Sequence, residues 1–362
     1  MHHRIDTILR RLRQDVADRL QPQFLQAVCR SLGHTWRRSP LEPAALIHWF
    51  IAQVLHGNTS LEHVSLLAGR TFTGSAYCQA RARLPLAVFL GVLRGLVKTL
   101  RTPTSSEDLW RGHRTWLIDG SAFSMPDTPA LRAGFGQPDG AARGCGFPVA
   151  KILALFHAGT GLLIEVAAAP YRTHEMSRLG QVHPGLGAGD ILIGERCLCS
   201  FAHLAMLVRD GVHGLFRVHQ RQIIDFTPAR PHLDARQNAS PRGLPRSRWL
   251  RGIGAVDQVV LWIKPQQRPG WMKAEDYRAL PECLEVRELR YEVGGPGFRT
   301  RSVTLVTTLV EEGAYPLEAL AGLYGVRWRV ELNFRHLKTT MKMDVLKCQR
   351  DRKSTRLNSS HW

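Results

Sequence analysis

Apolar residues recur at helical spacing through Pro43–Leu55 and again through Leu86–Leu100. There is little period-two alternation before residue 102, so the pattern predicts a helical N-terminal domain over 1–102. Between those helices the segment TFTGSAYCQARARLP passes from a polar turn into a short helix carrying Arg81 and Arg83. That helix could lie on DNA or present a solvated basic face. PTSSEDLW, at 103–110, reads as a polar linker. The period then changes. Thr115–Ile118 is a short apolar run ending on Asp119-Gly120-Ser121, and Val149–Phe156 and Gly161–Ala169 are two more, joined by a tight turn. Ile191–Ile193, a helical stretch at Ser200–Arg209 and Gly214–Val218 follow. Strands in a meander, then strand–helix–strand, predict a mixed α/β sheet over 111–218.

Residues 219–300 read differently. Arg230–Arg251 is rich in Pro, Arg, Ser and Asn and is expected to be a long basic loop, with strands at Val256–Ile263 and Leu284–Val293. Ser302–Val310 is expected to return the chain to the main sheet, opening a second part of the core over 301–349. The last residues, 350–362, include KSTRLNSSHW. This stretch is polar and out of phase with the preceding helix, and it reads as a non-native or truncated ending.

Charge narrows the function. Lys and Arg number 49 against 30 Asp and Glu, a formal charge of +19. Such a surplus points to a polyanionic partner, nucleic acid or an anionic membrane surface. The most apolar stretch, Val149 to Pro170, is broken by Lys151, His157 and Glu165, which argues against a membrane span. The N-terminus lacks an apolar signal-peptide core, so a cytoplasmic protein is expected. The seven cysteines form no C-x-x-C pair, which points to free thiols rather than a zinc site or disulfide framework. Arg143-Gly-Cys-Gly-Phe-Pro lacks the lysine of a phosphate loop. No G-x-S-x-G elbow is present. His203, on an apolar helix, reads as a packed histidine.

The segment Tyr324–Met341 carries the strongest chemistry. At ~100° per residue, Arg327, Glu331 and Lys338 fall within about 60° of Tyr324 on one helix face. Leu323, Val326, Val330, Phe334, Leu337 and Met341 form the adjacent apolar stripe that would dock the helix. A carboxylate flanked by cations suits metal and phosphate together, and geometry alone would equally allow surface ion pairs.

The spacing Tyr324-x2-Arg327-x3-Glu331-x6-Lys338 resembles the Y-x2-R-x3-E-x6-K signature of one large branch of bacterial insertion-sequence DDE transposases. Trp116-Leu-Ile-Asp119-Gly-Ser is similar to the strand carrying that family's first catalytic aspartate. Ser124-Met-Pro-Asp127-Thr-Pro also resembles the family. Gly189-Asp190-Ile-Leu-Ile-Gly194-Glu195-Arg196 resembles the segment carrying the second acid, with Glu195 standing where the family normally has Asp. The resemblance covers roughly 110–349. It implies a ribonuclease-H-like mixed α/β sheet with helices, interrupted by a β-rich insertion and preceded by a helical DNA-binding domain. It implies Asp119, Glu195 and Glu331 as catalytic residues and metal ligands, with two Mg²⁺ ions for which Mn²⁺ may substitute. Tyr324, Arg327 and Lys338 would contact DNA phosphates. The partner would be double-stranded DNA, both element ends and target, bound by a homodimer in the bacterial nucleoid.

Elementary chemistry agrees. Two metal ions can stabilise the attacking and leaving oxygens of a phosphodiester, and hard cations prefer carboxylate oxygens. In the insertion, Arg242, Arg246, Arg248 and Arg251 with Trp249 offer charge plus a stacking surface for DNA. Glu195 is one methylene longer than Asp, and a displacement of about 1 Å is enough to cost activity. A copy that binds DNA without cutting, and a nuclease without strand transfer, therefore stand as alternatives to a full transposase.

Overall fold

The computed structural model describes residues 18, 20–98, 109–138, 146–230, 243–295 and 298–344. The tail at 350–362, most of the 103–110 linker, Arg143 and Arg242 lie outside them.

Among the described residues, five helices make up the N-terminal part: α1 (Pro22–Ser31), α2 (Pro43–Leu55), α3 (Leu61–Leu67), α4 (Gly74–Arg83) and α5 (Leu86–Lys98). Ser60 and Thr73 cap α3 and α4 by accepting from His63 N and Ala76 N, which satisfies backbone donors that the first turn leaves free. Leu25, Ile47, Val64, Tyr77, Leu84 and Val88 close a core of their own.

The rest is built on one mixed sheet, with helices α6 (Pro129–Phe135), α7 (Leu179–Val182), α8 (Phe201–Arg209), α9 (Ala274–Arg278), α10 (Leu317–Gly325) and α11 (Arg329–Arg335). Its strands are β1 (Thr115–Ser124), β2 (Val149–His157), β3 (Leu163–Pro170), β4 (Ile191–Gly194), β5 (His213–Arg217), β6 (Arg246–Gly254), β7 (Asp257–Ile263), β8 (Cys283–Gly295) and β9 (Phe298–Thr307). They lie in the order β3-β2-β1-β4-β5-β9-β8-β7-β6. β1, β4 and β5 run parallel, and every residue of β4 is buried, as expected for a strand covered on both faces. One face carries Ile118, Leu192, Leu204, Phe216 and Trp262, and the other Leu117, Ile193, Leu215, Leu323, Val330 and Phe334.

The sheet refines three expectations. The β-rich insertion extends the main sheet itself, since β9 pairs with β5 and carries β8, β7 and β6 outward. The 219–300 boundary thus falls inside β9. Part of the expected basic loop is strand β6, paired along β7, its arginines alternating with Ser247 and Trp249, which turn inward. β1 runs five residues beyond Asp119, so Asp119-Gly120 lies inside the strand rather than at the end of the run. The extension is held by antiparallel pairing with β2 from Trp116↔His157 to Ser124↔Val149.

Two buried ion pairs fix the frame. Asp190 accepts from Arg114 Nε at 2.8 Å and from Trp116 Nε1 at 2.7 Å, which ties the start of β1 to the start of β4. Asp257 on β7 takes Arg287 Nε of β8 at 2.7 Å, and Arg287 Nη1 donates to the Tyr315 carbonyl at 2.7 Å, just before helix α10 (Leu317–Gly325). No helix among the described residues is long and apolar enough to cross a membrane.

Removing one partner of a buried pair strands the other charge, at a cost of about 3–5 kcal/mol. Asp257→Ala is therefore expected to lower unfolding free energy by roughly that amount in denaturant titration. A loss below about 1 kcal/mol, the range of an exposed pair, would show that Arg287 finds another partner.

Candidate active site

β1 and β4 deliver the first two acids side by side. Their parallel register ends at Ile118↔Gly194, and Asp119 and Glu195 are the next residues on each chain. Gly194 is required there because a Cβ would press on the Phe216 ring at 2.7 Å. Glu195 then caps the turn Arg196–Leu198, its Oε2 accepting from Arg196 N at 2.9 Å. Gly120 N donates to Asp119 Oδ1 at 2.8 Å.

The third acid arrives on the opposing helix. Leu320, Leu323, Val330 and Phe334 dock the chain from α10 through α11 (Arg329–Arg335) on the sheet. The helix predicted as continuous is instead interrupted. Val326–Trp328 is a 3₁₀ turn and His336–Thr340 a π turn. The regular step is thus broken on both sides of Arg329–Arg335, yet Tyr324, Arg327 and Glu331 still converge, while Lys338 falls inside the π turn.

Arg327 is the centre of the constellation. Its guanidinium lies 3.9 Å from Asp119 Oδ2, 3.3 Å from Glu195 Oε1 and 3.4 Å from Glu331 Oε1. Burial opposes its charge, but Tyr324, Glu195, Asp119 and Glu331 together outweigh that and hold its pKa above the usual value. Tyr324 OH donates to Glu195 Oε1 at 3.3 Å, and burial, reinforced by the Glu195 charge, raises its pKa so that it stays protonated. Burial likewise pushes the Asp119 carboxyl up to about 6, with Glu175 and Glu195 adding to the shift and Gly120 N and Arg327 opposing it.

The other expected contacts disperse. Lys338 Nζ lies 5.2 Å from the Phe123 ring centre, beside the far end of β1. Arg81 is engaged in packing: it donates to Gln53 Oε1 at 2.7 Å and lies over the Phe50 ring, whereas Arg83 is exposed. Arg248 is exposed on β6. Trp249 is half-buried, and its Nε1 has no partner among the described residues. Arg251 reaches Glu312 and the Val310 carbonyl. His203 is buried, bonded to the Leu198 carbonyl at 2.7 Å and to His183 at 3.1 Å. Cys29, Cys197, Cys199 and Cys283 are free thiols. Sequence reasoning missed Glu175, whose charge acts on Asp119 and which no spacing rule singles out.

Three carboxylates are the hard oxygen donors a divalent cation prefers. As they stand, the guanidinium spaces them, and among the described residues no three His, Cys, Asp or Glu side chains close around one point. The donor chemistry fits a divalent metal.

The raised Asp119 pKa has a consequence for stability. Because the folded value lies above the unfolded one, its contribution is fully present below about pH 4 and is lost as pH rises through about 6. In chelator, Asp119→Asn should melt several degrees above the parent at pH 8 and level with it at pH 4. Equal melting at pH 8 would contradict the buried, charge-crowded placement.

The family described as "Transposase DDE domain" matches residues 110–359. InsZ of Escherichia coli (strain K12) is 26% identical over 284 residues, spanning 76% of this chain and 89% of InsZ. The transposase InsG for insertion sequence element IS4, from the same strain, is 22% identical over 349 residues, spanning 91% of this chain and 70% of InsG.

Proposed function

The chain belongs to the family of transposases with a DDE domain, and we propose that it binds the terminal inverted repeats of its insertion element, cuts there and joins the 3′ ends to target DNA. The observation that carries the reading is the meeting of Asp119, Glu195 and Glu331 on one guanidinium from three distant parts of the chain. We further read the sheet β2-β1-β4-β5 with its flanking helices as a ribonuclease-H-like core, and residues 20–98 as a helical DNA-binding part.

In this reading Asp119, Glu195 and Glu331 hold Mg²⁺, or Mn²⁺ in its place. A bound pair of such ions supplies Lewis-acid stabilisation of the attacking and leaving oxygens. Arg327 presents a planar guanidinium suited to two phosphate oxygens, and it is already neutralised in the free protein, so taking up a phosphate exchanges one anionic partner for another. Tyr324, kept protonated, can donate to a phosphate or keep Glu195 oriented. Both Glu195 oxygens are engaged, by Arg196 N, Tyr324 and Arg327. The extra methylene relative to Asp is thus taken up by definite contacts, which favours a working ligand over a degenerate one. Arg83, Arg248 and Lys338 lie outside the acid cluster and would track the DNA backbone further from the scissile bond. A homodimer on DNA completes the proposal.

Glu331→Gln removes one metal-ligand charge and few phosphate contacts. Mg²⁺-dependent cleavage of cognate end DNA should fall by at least about 100-fold, or roughly 2.7 kcal/mol of barrier, with DNA affinity within a few fold. A Gln variant that cuts at the parental rate would remove Glu331 from the site and the metal-dependent reading with it.

A further inference from the structure

One carboxylate beside the trio has no bonded partner among the described residues. Glu175 opens the 3₁₀ turn Glu175–Arg178 that follows β3. Among the described residues it makes no hydrogen bond or ion pair, though its charge and that of Glu195 both act on Asp119.

Its approach is set by the strand. Successive side chains of β1 face opposite sides of the sheet. Leu117 belongs to the face that docks α10 and α11, so Asp119 shares that face with Glu331. Ile118 belongs to the other face, where Met176, Leu179 and Val182, just after Glu175, are packed. Gly120 therefore looks toward Glu175, and a Cβ built on Gly120 would collide with the Glu175 carboxyl group. Gly120 lies within β1 and has no positive φ, so its backbone conformation would accept any residue. What it supplies is room: the bare α-carbon next to Asp119 is where the Glu175 carboxylate sits.

We propose that Glu175 is a fourth acidic ligand of the active site, reaching the divalent metal past the bare α-carbon of Gly120 from the sheet face opposite Glu331. The inference rests on the metal-dependent reading above. Mg²⁺ seeks six oxygens in near-octahedral array, and three acids arriving from one face and the strand ends leave the other side to water. A carboxylate from the second face closes that side and adds charge where Arg327, committed to the other three acids, does not neutralise it.

The test is Mn²⁺ binding to the full chain without DNA, read from the electron paramagnetic resonance of free Mn²⁺, with melting curves as the check on folding. Glu175→Gln is isosteric and should weaken Mn²⁺ binding about tenfold, the low end of what loss of a metal-site partner costs. Gly120→Ala keeps every acid but denies Glu175 its place, and should weaken binding similarly. The double variant should be no worse than either single one, because both act through the same carboxylate. Asp119→Asn is the reference. If Asp119→Asn weakens Mn²⁺ while Glu175→Gln binds as the parent does, Glu175 only packs against the strand and the trio stands without it. If neither change affects Mn²⁺, the metal-dependent reading falls and this inference with it. Should Gly120→Ala not fold, Glu175→Gln alone decides.

Discussion

The site depends on one guanidinium. Three carboxylates held close in a partly dry setting repel one another, and burial with neighbouring acids raises the pKa of Asp119. Arg327 offsets that repulsion by standing 3.3–3.9 Å from all three. It comes from the same helical segment as Glu331, one turn away, so the docking of that segment fixes the acid and its counter-ion together. The docking in turn rests on Leu323, Val330 and Phe334 against the sheet, and the sheet's own register on Asp190 with Arg114 and Trp116. The chain of causes runs from a buried aspartate at the base of β4, through strand register, to the placement of Asp119 beside Glu195.

That arrangement is poised rather than relaxed. Burial and neighbouring acids raise the Asp119 pKa to about 6, so the free protein carries a carboxylate it would be more stable without at neutral pH. Crowded acids of this kind are costly in the apo state and useful once a cation of higher charge takes them up. The Glu175 carboxylate, lodged over Gly120, adds to the same crowding from the other face. Two glycines make it possible for different reasons: Gly194 because Phe216 fills its Cβ position, and Gly120 because Glu175 does.

Much of this was legible in the sequence. The change from helical to strand periodicity near residue 110, the meander β1–β3 and the alternation of β4, α8 (Phe201–Arg209) and β5 follow from apolar spacing alone. The convergence of Tyr324, Arg327 and Glu331 followed from the helical period because that stretch stays close to three to four residues per turn. Lys338 lies within the π turn His336–Thr340 and over the Phe123 ring, and such turns carry no simple signature. β6 was hidden because an edge strand buries little, leaving exposed arginines that resemble a loop. Arg81 was read as a DNA contact from its charge, whereas its guanidinium lies on Phe50 and bonds Gln53, a pairing visible only in three dimensions. Glu175 had no local pattern at all, since its role is set by a glycine 55 positions earlier on another element.

The central claim is that Arg327 holds the three acids together by charge. It is tested most directly by the melting temperature of Arg327→Gln against pH, measured in chelator. The account predicts a deficit that is larger at pH 8, where Asp119 is ionised and adds to the repulsion, than at pH 4, where Asp119 is protonated. A deficit independent of pH, or none at pH 8, would contradict it, showing that the side chain fills space or faces solvent and that the acids are brought together by something else.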